Sequence, residues 1–216
     1  MNRKLWLNGL TTLFLALPSA FAAAAEIDVA DNHGRPLADA VVQLAPAQPV
    51  GAGAANKIAL EGVIDQRHET FLPLVTIIRQ GGHVIFKNND TTMHQVYSFS
   101  PIKQFAFEID QGERSQPVIF EKSGISAIGC NIHDHMITYV YVAGQPWAAL
   151  SDKSGHAIID GLPVGDYRGT VWHPQLPAGA APISFALVVS GRGTKTSVEI
   201  PVTAATAKKP MHMQMY

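Results

Sequence analysis

From Glu26 onward the chain shows no stretch of helical periodicity. In its place come short runs rich in Val, Ile, Tyr and Phe: "EIDVAD", "AVVQLAP", "LVTIIRQ", "HVIFKNND", "QVYSFS", "PVIFEK", "ITYVYVAG", "HAIIDG", "YRGTVWH", "SFALVVSG" and "TSVEIPV". Many of them alternate polar and apolar residues, and Gly, Pro, Asn and Asp separate them. The chain is therefore expected to be all-β. The spacing fits two small β-sandwiches better than one large barrel, and 216 residues suit one or two domains. Pro/Gly/Ala-rich linkers are expected at Ala45–Asn56 and Leu176–Pro182.

The first 25 residues read differently. Asn2-Arg3-Lys4 is a short basic start, "LWLNGLTTLFLALPSAFA" is apolar, and "AFAAAA" supplies the small residues that a signal peptidase needs. Residues 1–25 are therefore expected to be a signal peptide, cleaved near Ala22 to Ala25, with an uncleaved membrane anchor as the alternative. Loss of Arg3 and Lys4 leaves 14 basic residues against 17 acidic, a net of −3 compared with −1 for the whole sequence. That balance gives no reason to expect a nucleic-acid or anionic-membrane partner. No later apolar run is long enough to span a bilayer, so a soluble, exported protein, in the periplasm, is expected. In an oxidising compartment the single cysteine, Cys130, has no internal disulfide partner; it is free, intermolecular or metal-bound.

Two flanking stretches carry a common motif. "VADNHGRPLADAVVQLAP" (Val29–Pro46) has a strand, a D-x-x-G turn and a second strand; "LSDKSGHAIIDGLPVGDYRGTVWHP" (Leu150–Pro174) has another D-x-x-G hairpin before "LPVGDY". Together they resemble transthyretin-like or carboxypeptidase-regulatory-like modules. That resemblance implies one small sandwich built from residues 26–57 and 146–203, with residues 58–145 inserted as a second sandwich. A linear series of sandwiches is the alternative. Residues 204–216, including "MHMQM", read as a flexible tail; its thioethers and imidazole also suit Cu(I), which makes copper loading the alternative reading there.

The chemistry is concentrated in "GCNIHDHM" (Gly129–Met136). Cys130, His133 and Met136 have the spacing C-x2-H-x2-M, and Cys130 follows "SGISAIG", a run expected to be a strand. One loop can therefore wrap three soft or borderline donors around one ion. Two imidazoles, a thiolate and a long axial thioether make a blue-copper site, so a second imidazole must come from elsewhere. The best candidate is His94 in "NNDTTMHQVYSFS", at the start of a strand 36 positions earlier.

With "FLPLVTIIRQGGHVIFKNND", "HQVYSFSPIKQF", "VIFEKSG" and "YVYV", these residues resemble the Greek-key β-sandwich of the cupredoxins, and the loop is similar to that of the amicyanins. The mature chain is also similar to the periplasmic cupredoxin-like proteins of the methylamine-utilisation type. The resemblance implies one mononuclear type 1 copper, with His94, Cys130 and His133 as equatorial ligands and Met136 as the weak axial ligand. It further implies single-electron transfer with a redox partner protein such as a cytochrome or dehydrogenase.

Two positions depart from the pattern: His135 stands where relatives commonly have an aromatic residue, and Gln95 where many have Asn. His135 competes with His133 for the ligand role. With His133 and Met136 the loop closes consistently; with His135 the matching methionine would fall at Tyr139. His135 is expected at the rim, as an auxiliary contact.

A Cys130 nucleophile with His133 as base lacks an orienting group and an oxyanion hole in the sequence. The remaining histidines form none of the dense His-x-His clusters that multicopper enzymes favour, so no enzymatic activity is expected. A copper-delivery protein without an electron-transfer role is the main alternative, and a structural sandwich with a vestigial site is another.

Overall fold

The computed structural model describes residues 23–49, 58–177 and 179–202. Most of the expected leader, part of the first linker and the Met/His tail lie outside the described residues. The chain is all-β: the described residues contain no α-helix, and none is long and apolar enough to cross a membrane.

The described residues open with β1 (Ala23–Asp31) and β2 (Val41–Pro46). A middle group follows: β3 (Glu61–Arg67), β4 (Thr70–Leu72), β5 (Val75–Arg79), β6 (His83–Asn88), β7 (His94–Ser98), β8 (Phe105–Ile109), β9 (Val118–Ile119), β10 (Gly124–Cys130) and β11 (Ile137–Ala143). The last group is β12 (Trp147–Leu150), β13 (His156–Leu162), β14 (Gly165–Trp172), β15 (Ile183–Val189) and β16 (Thr194–Ile200). The first two strands pair only with the last group, in sheets ordered β13-β1-β16 and β12-β2-β14-β15. The middle group pairs within itself, as β4-β3-β6-β9 and β5-β11-β10-β7-β8.

Alternation explains how these runs settle. In β1, Ala25, Ile27 and Val29 point inward while Glu26 is exposed. β1 begins at Ala23, three residues inside the stretch expected to be leader, because Ala23 and Ala25 continue the inward row and pair with Leu162 and Ile159 of β13. Three pairs are parallel: β1–β16, β3–β6 and β5–β11. Parallel neighbours need a long crossover, here supplied by intervening strands.

Both D-x-x-G motifs fold into the same turn. The Asp31 carboxylate accepts the backbone N–H groups of His33 and Arg35 at 2.8 and 2.9 Å, and Gly34 takes φ 75°. Asp152 accepts those of Ser154 and His156 at 2.8 and 3.0 Å, with Gly155 at φ 79°. Only glycine takes such a left-handed backbone without penalty.

Two apolar cores result. One contains Ile27, Val42, Leu44, Trp147, Leu162 and Ile200. The other contains Ile64, Phe71, Phe86, Phe120 and Ile128, and it also takes in Cys130 and Met136. The outer face of the five-stranded sheet is covered as well: Tyr139 and Tyr141 lie against Trp172 of β14, with ring centroids 5.4 and 6.0 Å apart. Burial pushes both tyrosine hydroxyls above their ordinary pKa.

Candidate metal centre

β7 and β10 run antiparallel, with Tyr97 opposite Gly129 and Val96 opposite Cys130. The pairing sets His94, the first residue of β7, at the same end as Cys130, the last of β10. The backbone N–H of Asn131 continues the ladder by donating to the Gln95 carbonyl at 3.0 Å. Gly129 allows this close approach: a Cβ there would lie 3.0 Å from the Tyr97 hydroxyl, which packs beside the cysteine. Burial, and then the charges of Cys130 and Asp134, raise the Tyr97 pKa.

Three donor atoms converge at this end. Cys130 Sγ lies 3.5 Å from His94 Nδ1 and 3.9 Å from His133 Nδ1, and the two Nδ1 atoms are 3.2 Å apart. All three fall within 4.8 Å of one another, the one such group among the described residues. His94 and Cys130 are buried at 0% and 1% exposure, whereas the His133 side chain keeps 16%. Met136 is buried in the same apolar cluster as Cys130, and its N–H closes the loop by donating to the His133 carbonyl at 3.1 Å.

The orientation of His94 has a specific cause. Its Nε2 donates to Asp90 Oδ2 at 2.9 Å, which leaves a lone pair on Nδ1, the atom facing Cys130 and His133. Asp90 is itself held. It accepts the backbone N–H groups of His68 and Glu69 at 2.6 and 2.9 Å, and its own N–H donates to Asn88 Oδ1 at 3.0 Å. Burial alone would raise the Asp90 pKa; the N–H of Glu69, the His94 imidazole and the N–H of His68 outweigh it, so the carboxyl sits below its ordinary value. Asn88, fully buried, donates to the carbonyls of Thr92 and Ile109 at 2.8 and 2.9 Å and so fixes the "NNDTT" turn from beneath.

A thiol sulfur and two Nδ1 atoms at these separations, with one imidazole locked into the ligating tautomer by a carboxylate, fit a soft or borderline cation. The donor chemistry suits copper or zinc and is unsuited to calcium or magnesium, which take oxygen ligands.

No protein-family model and no curated protein matches the chain. Among solved structures it is similar to the copper-containing nitrite reductase (NirK) from Thermus scotoductus SA-01, at 27% identity over 45% of this chain and 25% of that one, TM-score 0.36. The chain thus spans about a quarter of that enzyme's length. It is also similar to a purple cupredoxin from Nitrosopumilus maritimus, at 22% identity over 38% of this chain and 99% of that one, TM-score 0.34. Amicyanin from Paracoccus versutus gives 21% identity over 47% of this chain and 97% of that one, TM-score 0.34.

His135 stands apart from the three donors. Its side chain is 63% exposed, and its Nε2 lies 3.7 Å from Glu69 Oε2. Gln95, the other unusual residue, turns away from the sulfur: its Oε1 accepts the Asn131 side-chain amide at 2.7 Å and ties the cysteine loop to β7. Asp90 and Glu69 were not singled out by sequence reasoning as part of the site. Asp90 left one signal, a carboxylate four residues before His94 in an Asn/Asp turn. Glu69 left none, since it looks like any solvated acid.

Proposed function

We propose that this chain is an exported copper protein that carries single electrons between redox partners. Residues 58–145 form a cupredoxin-type domain inserted into a transthyretin-like sandwich made of residues 26–57 and 146–203. One type 1 copper is held by His94, Cys130 and His133, with Met136 as the weak axial ligand. The observation that carries this reading is the convergence of His94 Nδ1, Cys130 Sγ and His133 Nδ1 within 4.8 Å, the first two on paired strands and the third in the loop between β10 and β11.

When bound, copper supplies a one-electron Cu(I)/Cu(II) couple. The chain's own residues do the rest. Asp90 keeps His94 in the ligating tautomer; burial of Cys130 and His94 excludes water; the β7–β10 ladder and the Gln95–Asn131 tie limit movement of the loop. His133, the least buried of the three, offers the edge through which a cytochrome or dehydrogenase would exchange electrons. No enzymatic step is assigned to the chain, and its compartment is the periplasm, reached through the leader.

A second reading, copper delivery without electron transfer, draws on the exposed His135 beside His133, which could receive an ion during transfer. Rapid mixing separates the two. A shuttle, reduced and loaded with one copper, should be oxidised by a c-type cytochrome and keep its metal. Loss of copper to a chelating acceptor, with no electron exchange on the same timescale, would replace the first reading by the second.

A further inference from the structure

Each imidazole of the donor cluster has a carboxylate at its outer nitrogen. For His94 the partner is Asp90, partly buried and hydrogen-bonded. For His133 it is Glu69, whose Oε1 lies 3.6 Å from Nε2. That distance exceeds a hydrogen bond, so the contact is electrostatic. The other carboxylate oxygen of Glu69 lies 3.7 Å from His135 Nε2.

The same aspartate delivers both carboxylates. The β3–β4 turn has His68 and Glu69 at φ 51° and 54°, left-handed values at two residues that are neither Gly nor Asn. Asp90 accepts the backbone N–H of each, and the oxygen that takes the Glu69 N–H also takes His94 Nε2. The turn that positions Glu69 over His133 is thus anchored to the group that orients His94.

We propose that Glu69 is a positioning residue that tunes the metal centre by charge, acting on it through the outer edge of His133. This rests on the reading above that His133 is a ligand. A carboxylate at that edge favours the more positively charged metal state, Cu(II) over Cu(I) and any divalent ion over Cu(I). Because the Glu69 side chain is half-exposed, its influence weakens as salt increases.

The test is Glu69→Gln in the full-length mature protein, with Zn(II) and Cu(I) affinities measured by competition and the copper reduction potential by titration. The substitution keeps the backbone N–H donors of the turn. Zn(II) affinity should fall about fivefold at low salt and Cu(I) affinity by a smaller factor. The Cu(II)/Cu(I) balance should shift by the ratio of the two factors, upward by at most about 40 mV at 59 mV per tenfold. Glu69→Lys should move both further in the same direction, and 0.5 M salt should shrink the differences. Equal changes in Zn(II) and Cu(I) affinity, or none in either, would overturn the proposal. The affinity ratio needs no blue chromophore, so a failure of the type 1 copper reading is distinguishable from a failure of Glu69.

Discussion

At the scale of single residues, the spacing of Cys130, His133 and Met136 was legible because all three lie in one loop of the sequence. His94 was legible only as a candidate, since nothing local says which distant histidine meets a cysteine. Asp90 and Glu69 were not, because their role depends on a turn whose placement is fixed by tertiary contacts. Asp90→Asn keeps the side-chain shape but removes the charge and leaves one acceptor oxygen where His94 Nε2 and the N–H groups of His68 and Glu69 now share two, so the hold on the His94 tautomer weakens; zinc or copper affinity should fall about 10- to 100-fold, with the far-UV circular dichroism unchanged. His173 makes a separate prediction. Its Nε2 donates to the Ala38 carbonyl at 3.0 Å while its Nδ1 accepts the Gln175 N–H at 3.1 Å, an arrangement that only neutral imidazole satisfies. Burial lowers its pKa, against the opposing pull of the Ala38 carbonyl and Asp39. The unfolded chain therefore takes up this proton first, near pH 6.5. Stability from this group is complete above that pH and falls below it, by at most about 1.4 kcal/mol per pH unit. Urea unfolding of His173→Asn between pH 7.5 and 5.5 should show a flatter dependence than the parent.

At the scale of elements, the runs that alternate apolar and polar residues, or are continuously apolar, gave recognisable strands. β3, β4, β8 and β12 were not among them; β3 escaped because its inward residues are Gly62, Ile64 and Gln66, a glycine and a buried amide in place of an apolar alternation, and β4 and β12 because they are only three and four residues long. Gly62 is small for a reason, since a Cβ there would lie 2.7 Å from Thr76 Cγ2. Gly169 is a sharper case. The far end of the Phe185 ring on β15 covers it, 2.1 Å from where a Cβ would stand, so Gly169→Ala must displace that ring and should cost about 1–3 kcal/mol by overpacking, measured by denaturant unfolding. The first strand bears on processing. Ala20-Phe21-Ala22 is a small-x-small cleavage pattern, and β1 uses every residue from Ala23. Mass spectrometry of the exported protein should give an N-terminus at Ala23. A chain starting at Glu26 loses two buried alanines and their ladder, and should be less stable by about 1–2 kcal/mol.

At the scale of the molecule, strand order was legible in the sequence but strand partners were less so, because β1–β16, β3–β6 and β5–β11 join segments separated by other strands. The contact between the middle strands and β14 was not legible either. Tyr139 and Tyr141 looked like ordinary strand residues, yet they pack on Trp172 and bury the outside of the sheet that carries Cys130. Such a face couples the two halves, so thermal unfolding of the whole chain should be a single transition. Trp172→Ala should lower stability by about 3–5 kcal/mol and split that transition. Tyrosine burial there also places a support behind β10 and β11, the strands that flank the cysteine loop. The proposed ligands of one type 1 copper are His94, Cys130, His133 and Met136. The direct measurement is the visible absorption spectrum of the mature protein with one equivalent of Cu(II). An intense thiolate-to-copper band that disappears in Cys130→Ser is expected; a pale spectrum at full copper occupancy would overturn the proposed ligand set.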